Sequence, residues 1–240
     1  MSQAQAALQP TYASTVPSVL YDPSAPIHHF HSRALGRTGA VPSRRNQRLR
    51  RAQILATIRR LLTEEGLDGV TVRGIAQASG HAVQTIYNLV GPRDQAIVEA
   101  ISEYTRYVGH TALPDPGDPN AVVDIIGRWL QSIECAPEFC RQVCLIFFSP
   151  SRGIFYHFRD KQLKAMQGLL VRQQQCGILR ADANLGDLAE QLVTFASASC
   201  VEWSDRPFPL EQLHRRISSG FGNLLDGARQ PGAGVVWGRS

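Results

Sequence analysis

From about Ser43 onward the chain alternates apolar stretches at helical spacing with glycine, proline and polar breaks. Ile54, Leu55, Ile58, Leu61 and Leu62 recur on one helical face, and Gly66 follows the last turn as a C-terminal stop. Thr71 then precedes Val72, Ile75 and Ala76, which predicts a hydroxyl N-cap on a short amphipathic helix. Gly74 inside that helix costs about 1 kcal/mol relative to alanine, so tertiary packing must hold it. Gly80 is placed to turn the chain sharply, and a second short helix, AVQTIYNLV, starts immediately. At about 100° per residue, Ala82, Ile86, Leu89 and Val90 share one arc. Val83, Gln84, Tyr87 and Asn88 occupy the opposite arc, with Thr85 on its flank. Gly91-Pro92 suits the start of a further helix with proline at its first position, and Asp94 in the first turn favours the helix dipole.

Beyond about Tyr104 the pattern stays helical with longer elements. DPGDPN (115–120) reads as a loop, followed by Val122, Val123, Ile126, Trp129, Leu130 and Ile133 on one helix. A helix through Phe139, Val143 and Leu145 to Phe148 should end at Ser149-Pro150, and a long one should run from about Ile154 to Gln175, stopped by Gly177. Asn184 or Asp182 can cap a helix through Leu188, Leu192, Val193, Phe195 and Ala196. DRPFP then turns the chain into a last helix bearing Leu210, Leu213, Ile217, Phe221, Leu224 and Leu225. No segment reads as a strand and no internal repeat is visible, so the predicted class is all-α: an N-terminal helix-turn-helix three-helix module followed by a larger helical domain. The predicted divisions are an extension over 1–42, a small head over 43–104 with its motif at about 71–90, a helical domain over 105–228, and a loose glycine-rich tail over 229–240.

Charge sharpens this picture. The net charge is +5, and residues 1–62 hold nine arginines against a single acid, Asp22, leaving the remainder slightly acidic. Such asymmetry suits a basic end that meets a polyanion, although a merely solvated basic tail has the same composition. The extension is rich in Ala, Ser, Pro, Gln and Thr; its His28, His29 and His31 have no cysteine or carboxylate at ligand spacing, so no metal site is expected. Five scattered cysteines (135, 140, 144, 176 and 200) read as reduced thiols packed as small hydrophobes. With no apolar run near 18 residues and no secretory pattern at the N-terminus, a cytoplasmic protein without membrane contact is expected.

The ordered set Ile54-Leu55, Glu64 and Gly66, Thr71 with Ile75-Ala76 and Gly80, Thr85-Ile86-Tyr87, and Arg93-Asp94 resembles, without a gap, the N-terminal module of the tetracycline-repressor (TetR) family. The resemblance covers residues 51–94; beyond 104 it is one of architecture alone. It departs from the family pattern at His81 (usually apolar), Ala82 (often a capping serine), Val90 (usually aromatic) and Arg93 (customarily lysine).

The resemblance implies a transcription regulator, most simply a repressor, that reads a palindrome-like double-stranded DNA operator as a homodimer. On that footing Thr85 and Tyr87 offer hydroxyls to phosphates. Gln84 can pair with adenine, Asn88 with a base or the backbone, and Val83 with a thymine methyl. Thr71 caps its helix and meets a phosphate, with Arg73 beside it, and His81 can add a phosphate contact. Arg93 with the amides of the fourth helix forms an anion site. Arg44, Arg45 and Arg48 are candidates for backbone or minor-groove contact, or else a free solvated arm. The family's larger domain encloses an effector pocket, for which Trp129, Cys144, Phe147, Phe148, Phe155, Phe158 and Phe195 are candidates, equally readable as core. Few charges lie among them, which suits a fairly apolar small molecule. The dimer would join through the last two helices, using Leu188, Leu192, Ala196, Leu213, Ile217, Phe221 and Leu224, unless these are simply intramolecular core. No nucleophile elbow, zinc-protease motif, paired Cys-x-x-Cys or phosphate loop is present, so neither an enzyme nor a cofactor is expected. A helical interaction module, or a thiol-responsive regulator without a small-molecule pocket, remains the alternative.

Overall fold

The computed structural model describes residues 42–108 and 114–230. Most of the predicted N-terminal extension, its histidines and the last ten residues lie outside the described residues.

The first helix, α1 (Pro42–Gly69), is interrupted at Gly66, whose φ of 68° breaks the helical backbone where a stop was expected. It is followed by α2 (Val72–Ser79), α3 (Val83–Val90) and α4 (Arg93–Val108). Ile54, Leu55, Ile58 and Leu62 of α1 bury against Ile75, Ile86, Val90, Ile97 and Tyr104. One apolar face per helix thus closes a small core. Two short helices that could not persist alone are held by this burial and by their caps.

The second part comprises α5 (Ala121–Cys135), α6 (Pro137–Leu145), a 3-10 turn (Ile146–Phe148), α7 (Gly153–Gln175), α8 (Leu185–Asp205) and α9 (Leu210–Asp226). Gly177 turns the chain after α7 with φ 74°, and Asn184 caps α8 by accepting from the Asp187 amide at 3.2 Å. A second core unites α5, α7, α8 and α9 around Ile126, Leu130, Leu170, Leu192, Ile217 and Phe221. Among the described residues there are nine α-helices and no sheet; one isolated antiparallel bridge joins Leu179 to Arg229. No helix among them is long and apolar enough to cross a membrane.

Three differences from the sequence expectation have physical causes. The head is not separable at residue 104: Phe139, Ile146 and Ile154 complete its core, and Tyr104 meets Phe139 edge-on at 5.0 Å. The segment after α9 is not loose at its start, because the Arg180 amide donates to Ala228 and the Gln230 amide to Ile178, leaving Ala228 and Arg229 buried. Leu188, Leu192, Ala196, Leu213, Ile217 and Phe221 are buried within the single chain, so the residues named for a dimer face are its core, and Leu224 is partly buried against it.

Candidate nucleic-acid interface

Thr71 holds the extended backbone of an N-cap, and its hydroxyl accepts from the Gly74 amide at 2.9 Å. At the other end of α2, Gly80 adopts φ 69°, a left-handed conformation that favours glycine. Together with the His81 amide donating to Ala76, this reverses the chain within three residues and sets α3 across α2. Nothing stands within 4 Å of where a Gly80 side chain would begin, so backbone conformation and not space dictates glycine here.

The outward face of α3 is as the periodicity predicted. Ile86 and Val90 are buried, whereas Val83, Gln84, Tyr87 and Asn88 are exposed and Thr85 is half-buried. Val83 is 41% and Tyr87 47% exposed, large for side chains of their apolarity. Gln84 donates to Asn88 Oδ1 at 3.1 Å, orienting both amides along the same face. Ala82, placed by periodicity on the packed arc, is instead the exposed N-cap residue and provides no side-chain cap. The Thr85 amide is taken by the Ala82 carbonyl at 2.8 Å, and no side chain caps the amides before it.

The surroundings are cationic. No aspartate or glutamate occurs from Val70 to Arg93, nor in α1 before Glu64. Arg44, Arg45 and Arg48 are exposed, and so is Arg73 at the start of α2. The three α1 arginines belong to a helix and not to a free arm. Arg44, Gln47, Arg48 and Arg51 line a shallow depression of about 300 Å³ closed on the other side by Leu89 of α3. Their spacing of three and four residues was the available signal for this shared face. Arg51 is held in place by Glu99 at 2.7 Å.

Two residues assigned to anion contact face elsewhere. Arg93 turns inward: Nε donates to the Val70 carbonyl at 2.5 Å, Nη2 to Leu67 at 2.6 Å, and Nη1 to Asp94 and Ser151 at 2.9 and 3.1 Å. It stitches the carbonyls left open after Gly66 to the start of α4, because an arginine fork satisfies several acceptors at once. His81 is half-buried, with Nε2 shielded and without a partner among the described residues.

The candidate effector residues do not converge. Trp129, Cys144 and Phe195 pack on the larger core and Phe158 on the head's core. Phe147 meets Phe148, Phe155 and Tyr156 edge-on at 5.3, 5.2 and 6.3 Å in a separate cluster, where Phe148 is 60% exposed. A different open depression of about 440 Å³ lies between Pro137 and Arg141 of α6, Trp203 of α8, and Phe208.

Comparison with known proteins agrees with this geometry. Residues 54–88 match the family profile described as bacterial regulatory proteins, tetR family. No curated protein sequence matches the chain. Among solved structures, SmeT, the repressor of the Stenotrophomonas maltophilia multidrug efflux pump SmeDEF, is similar with a TM-score of 0.62 at 15% identity, over 78% of this chain and 94% of that one. The fatty acid degradation regulator FadR from Bacillus halodurans gives 0.58 at 15% identity, over 81% and 100%. Thermus thermophilus FadR, a TetR family transcriptional repressor in complex with lauroyl-CoA, gives 0.55 at 16% identity, over 77% and 99%. Identities this low establish likeness of fold. Residues 54–88 thus match the tetR family of bacterial regulatory proteins, and the chain shares the fold of the TetR-family regulators it resembles.

Proposed function

We propose that the chain is a ligand-responsive transcription regulator that represses by binding a palindrome-like operator as a homodimer. The observation that carries this reading is the outward face of α3: Val83, Gln84, Tyr87 and Asn88 are exposed together, on a stretch without a carboxylate from Val70 to Arg93, with exposed Arg44, Arg45, Arg48 and Arg73 on α1 and α2. A helix of this kind enters the major groove, where Gln84 and Asn88 meet adenine edges and Val83 a thymine methyl. Thr71, Thr85 and Tyr87 supply hydroxyls to phosphates. The α1 arginines along the depression beside Leu89 add sequence-independent attraction.

One such head covers too little DNA for a specific site, which favours a dimer. The expected apolar residues of α8 and α9 are committed inside the chain, so the pairing surface falls to their outward stripe: Gln191, Thr194, Ala198 and Glu202 with Ser219 and Asn223. The effector is a small, fairly apolar molecule taken up by the helical domain. The lauroyl-CoA bound by Thermus thermophilus FadR supports that class only through its apolar acyl chain.

Footprinting on fragments of the source genome tests this function. The expected result is a protected segment with two-fold symmetry and two chains per segment. Protection of no segment by well-folded protein would overturn the reading, and one chain per segment would overturn the dimer.

A further inference from the structure

Three of the five cysteines lie between α6 and α8. Cys140 and Cys144, one turn apart on α6, both pack against the core that holds buried Cys200 of α8. They are not equivalent. Cys140 donates to the Ser132 carbonyl, which also accepts from the Tyr104 hydroxyl, and burial pushes the Cys140 thiol far up. Arg141 of α6 donates to the Ser204 carbonyl at 3.2 Å, and in that register partly exposed Cys144, one turn on, lies beside Cys200, one turn back along α8. The Cys200 thiol hydrogen bond outweighs burial and holds Cys144 below the usual thiol range, while the same contact and burial hold Cys200 well above it. Of the two, Cys144 is the more readily ionised.

We propose that Cys144 and Cys200 are a redox-active pair that hydrogen peroxide converts to an intramolecular disulfide. The Cys144 thiolate attacks one peroxide oxygen, the O–O bond breaks, and the departing hydroxide takes up the thiol's former proton as water. This leaves Cys144 as a sulfenic acid. The Cys200 sulfur then attacks the Cys144 sulfur; the S–S bond forms, the S–O bond breaks, and the hydroxide leaves with the Cys200 proton as a second water. Two thiols lose two electrons and one hydrogen peroxide gains them, so no further oxidant is needed.

The position gives the bond a consequence. The helix that carries Cys144 also buries Phe139 in the head's core, and its Gln142 approaches Gly66, where α1 breaks before the reading motif. A covalent bond draws α6 toward α8 and loosens that seat on α1. This consequence rests on the regulator reading above: oxidation lowers operator affinity by about tenfold, an ordinary coupling between two sites.

The test uses full-length reduced protein, hydrogen peroxide, alkylation after unfolding and a non-reducing peptide map. The expected product links the Cys144 peptide to the Cys200 peptide, reverses with dithiothreitol, survives Cys140→Ser, and is lost in Cys144→Ser. Recovery of both residues as alkylated thiols from peroxide-treated wild type, with only Cys176 or no cysteine oxidised, would overturn the proposal, and that readout needs no variant to fold. The same samples are titrated with genomic DNA fragments. Binding by the reduced protein that is unchanged once the disulfide is mapped would overturn the regulatory consequence. Absence of binding in both states would instead count against the regulator reading and leave the mapped bond standing.

Discussion

Arg59 of α1 and Glu103 of α4 meet at 2.6 Å with both side chains almost completely buried. A charged pair withdrawn from water survives only with close geometry and further hydrogen bonding, and its loss on one side leaves an uncompensated charge. The pair fixes α4, which leads into the helical domain, against the helix whose far end carries the basic face. Glu103→Ala is therefore expected to lower unfolding free energy by about 3–5 kcal/mol. The double replacement Arg59→Met with Glu103→Leu should recover most of that loss. Urea unfolding followed by circular dichroism measures both, and equal losses in single and double variants would show that the pair is not the reason.

The two short helices of the motif differ at their starts, and that difference is measurable. Thr71→Ala removes the hydroxyl that accepts the Gly74 amide and should cost about 1 kcal/mol. Ala82→Ser places an acceptor at an N-cap that lacks one, and should stabilise by a few tenths to about 1 kcal/mol. Opposite shifts in thermal midpoint are expected, and a destabilised Ala82→Ser would mean that the extended backbone at that residue does not admit a capping geometry.

Gly220 of α9 lies against the ring of Phe195 so closely that a β-carbon could not be added without displacing it. Gly220→Ala should therefore destabilise by about 1–3 kcal/mol through overpacking. Combined with Phe195→Leu the penalty should shrink, a non-additivity that a double-mutant cycle on unfolding free energies detects.

Much of this architecture was legible because it is local. Gly66, Thr71, Gly80, Gly177 and Asn184 mark helix ends through backbone conformations and caps that involve only a few neighbouring residues. The exposed face of α3 followed from periodicity alone. What failed was whatever depended on a distant partner. Arg93 carries the right residue type for an anion, yet its acceptors are the carbonyls of Leu67 and Val70, more than twenty residues away. Leu188 and Leu213 have the pattern of either a core or an interface, and only their burial within one chain separates the two. The aromatic residues chosen for a pocket share a composition but belong to three different clusters. Spacing along one helix does not say which helix stands opposite.

The arginines of α1 should act through charge alone. Arg44→Ala and Arg48→Ala are each expected to weaken binding to every DNA sequence alike, and to reduce the slope of log affinity against log salt by about one. Arg93→Ala should act differently, lowering thermal stability through the lost stitch between α1 and α4. Fluorescence anisotropy across a salt series, beside melting curves, separates these roles; an unchanged salt slope in Arg44→Ala and Arg48→Ala would remove them from the interface.

The central claim is that the outward face of α3 reads sequence. Its most direct test is selection of bound duplexes from a random DNA pool at near-physiological salt, with wild-type protein and with Gln84→Ala/Asn88→Ala in parallel. Wild type is predicted to recover a palindrome-like consensus with half-sites about 34–36 Å apart or further, and the double variant to lose preference at the bases those amides touch. Absence of any consensus from folded wild-type protein, or the same consensus from both proteins, would contradict it.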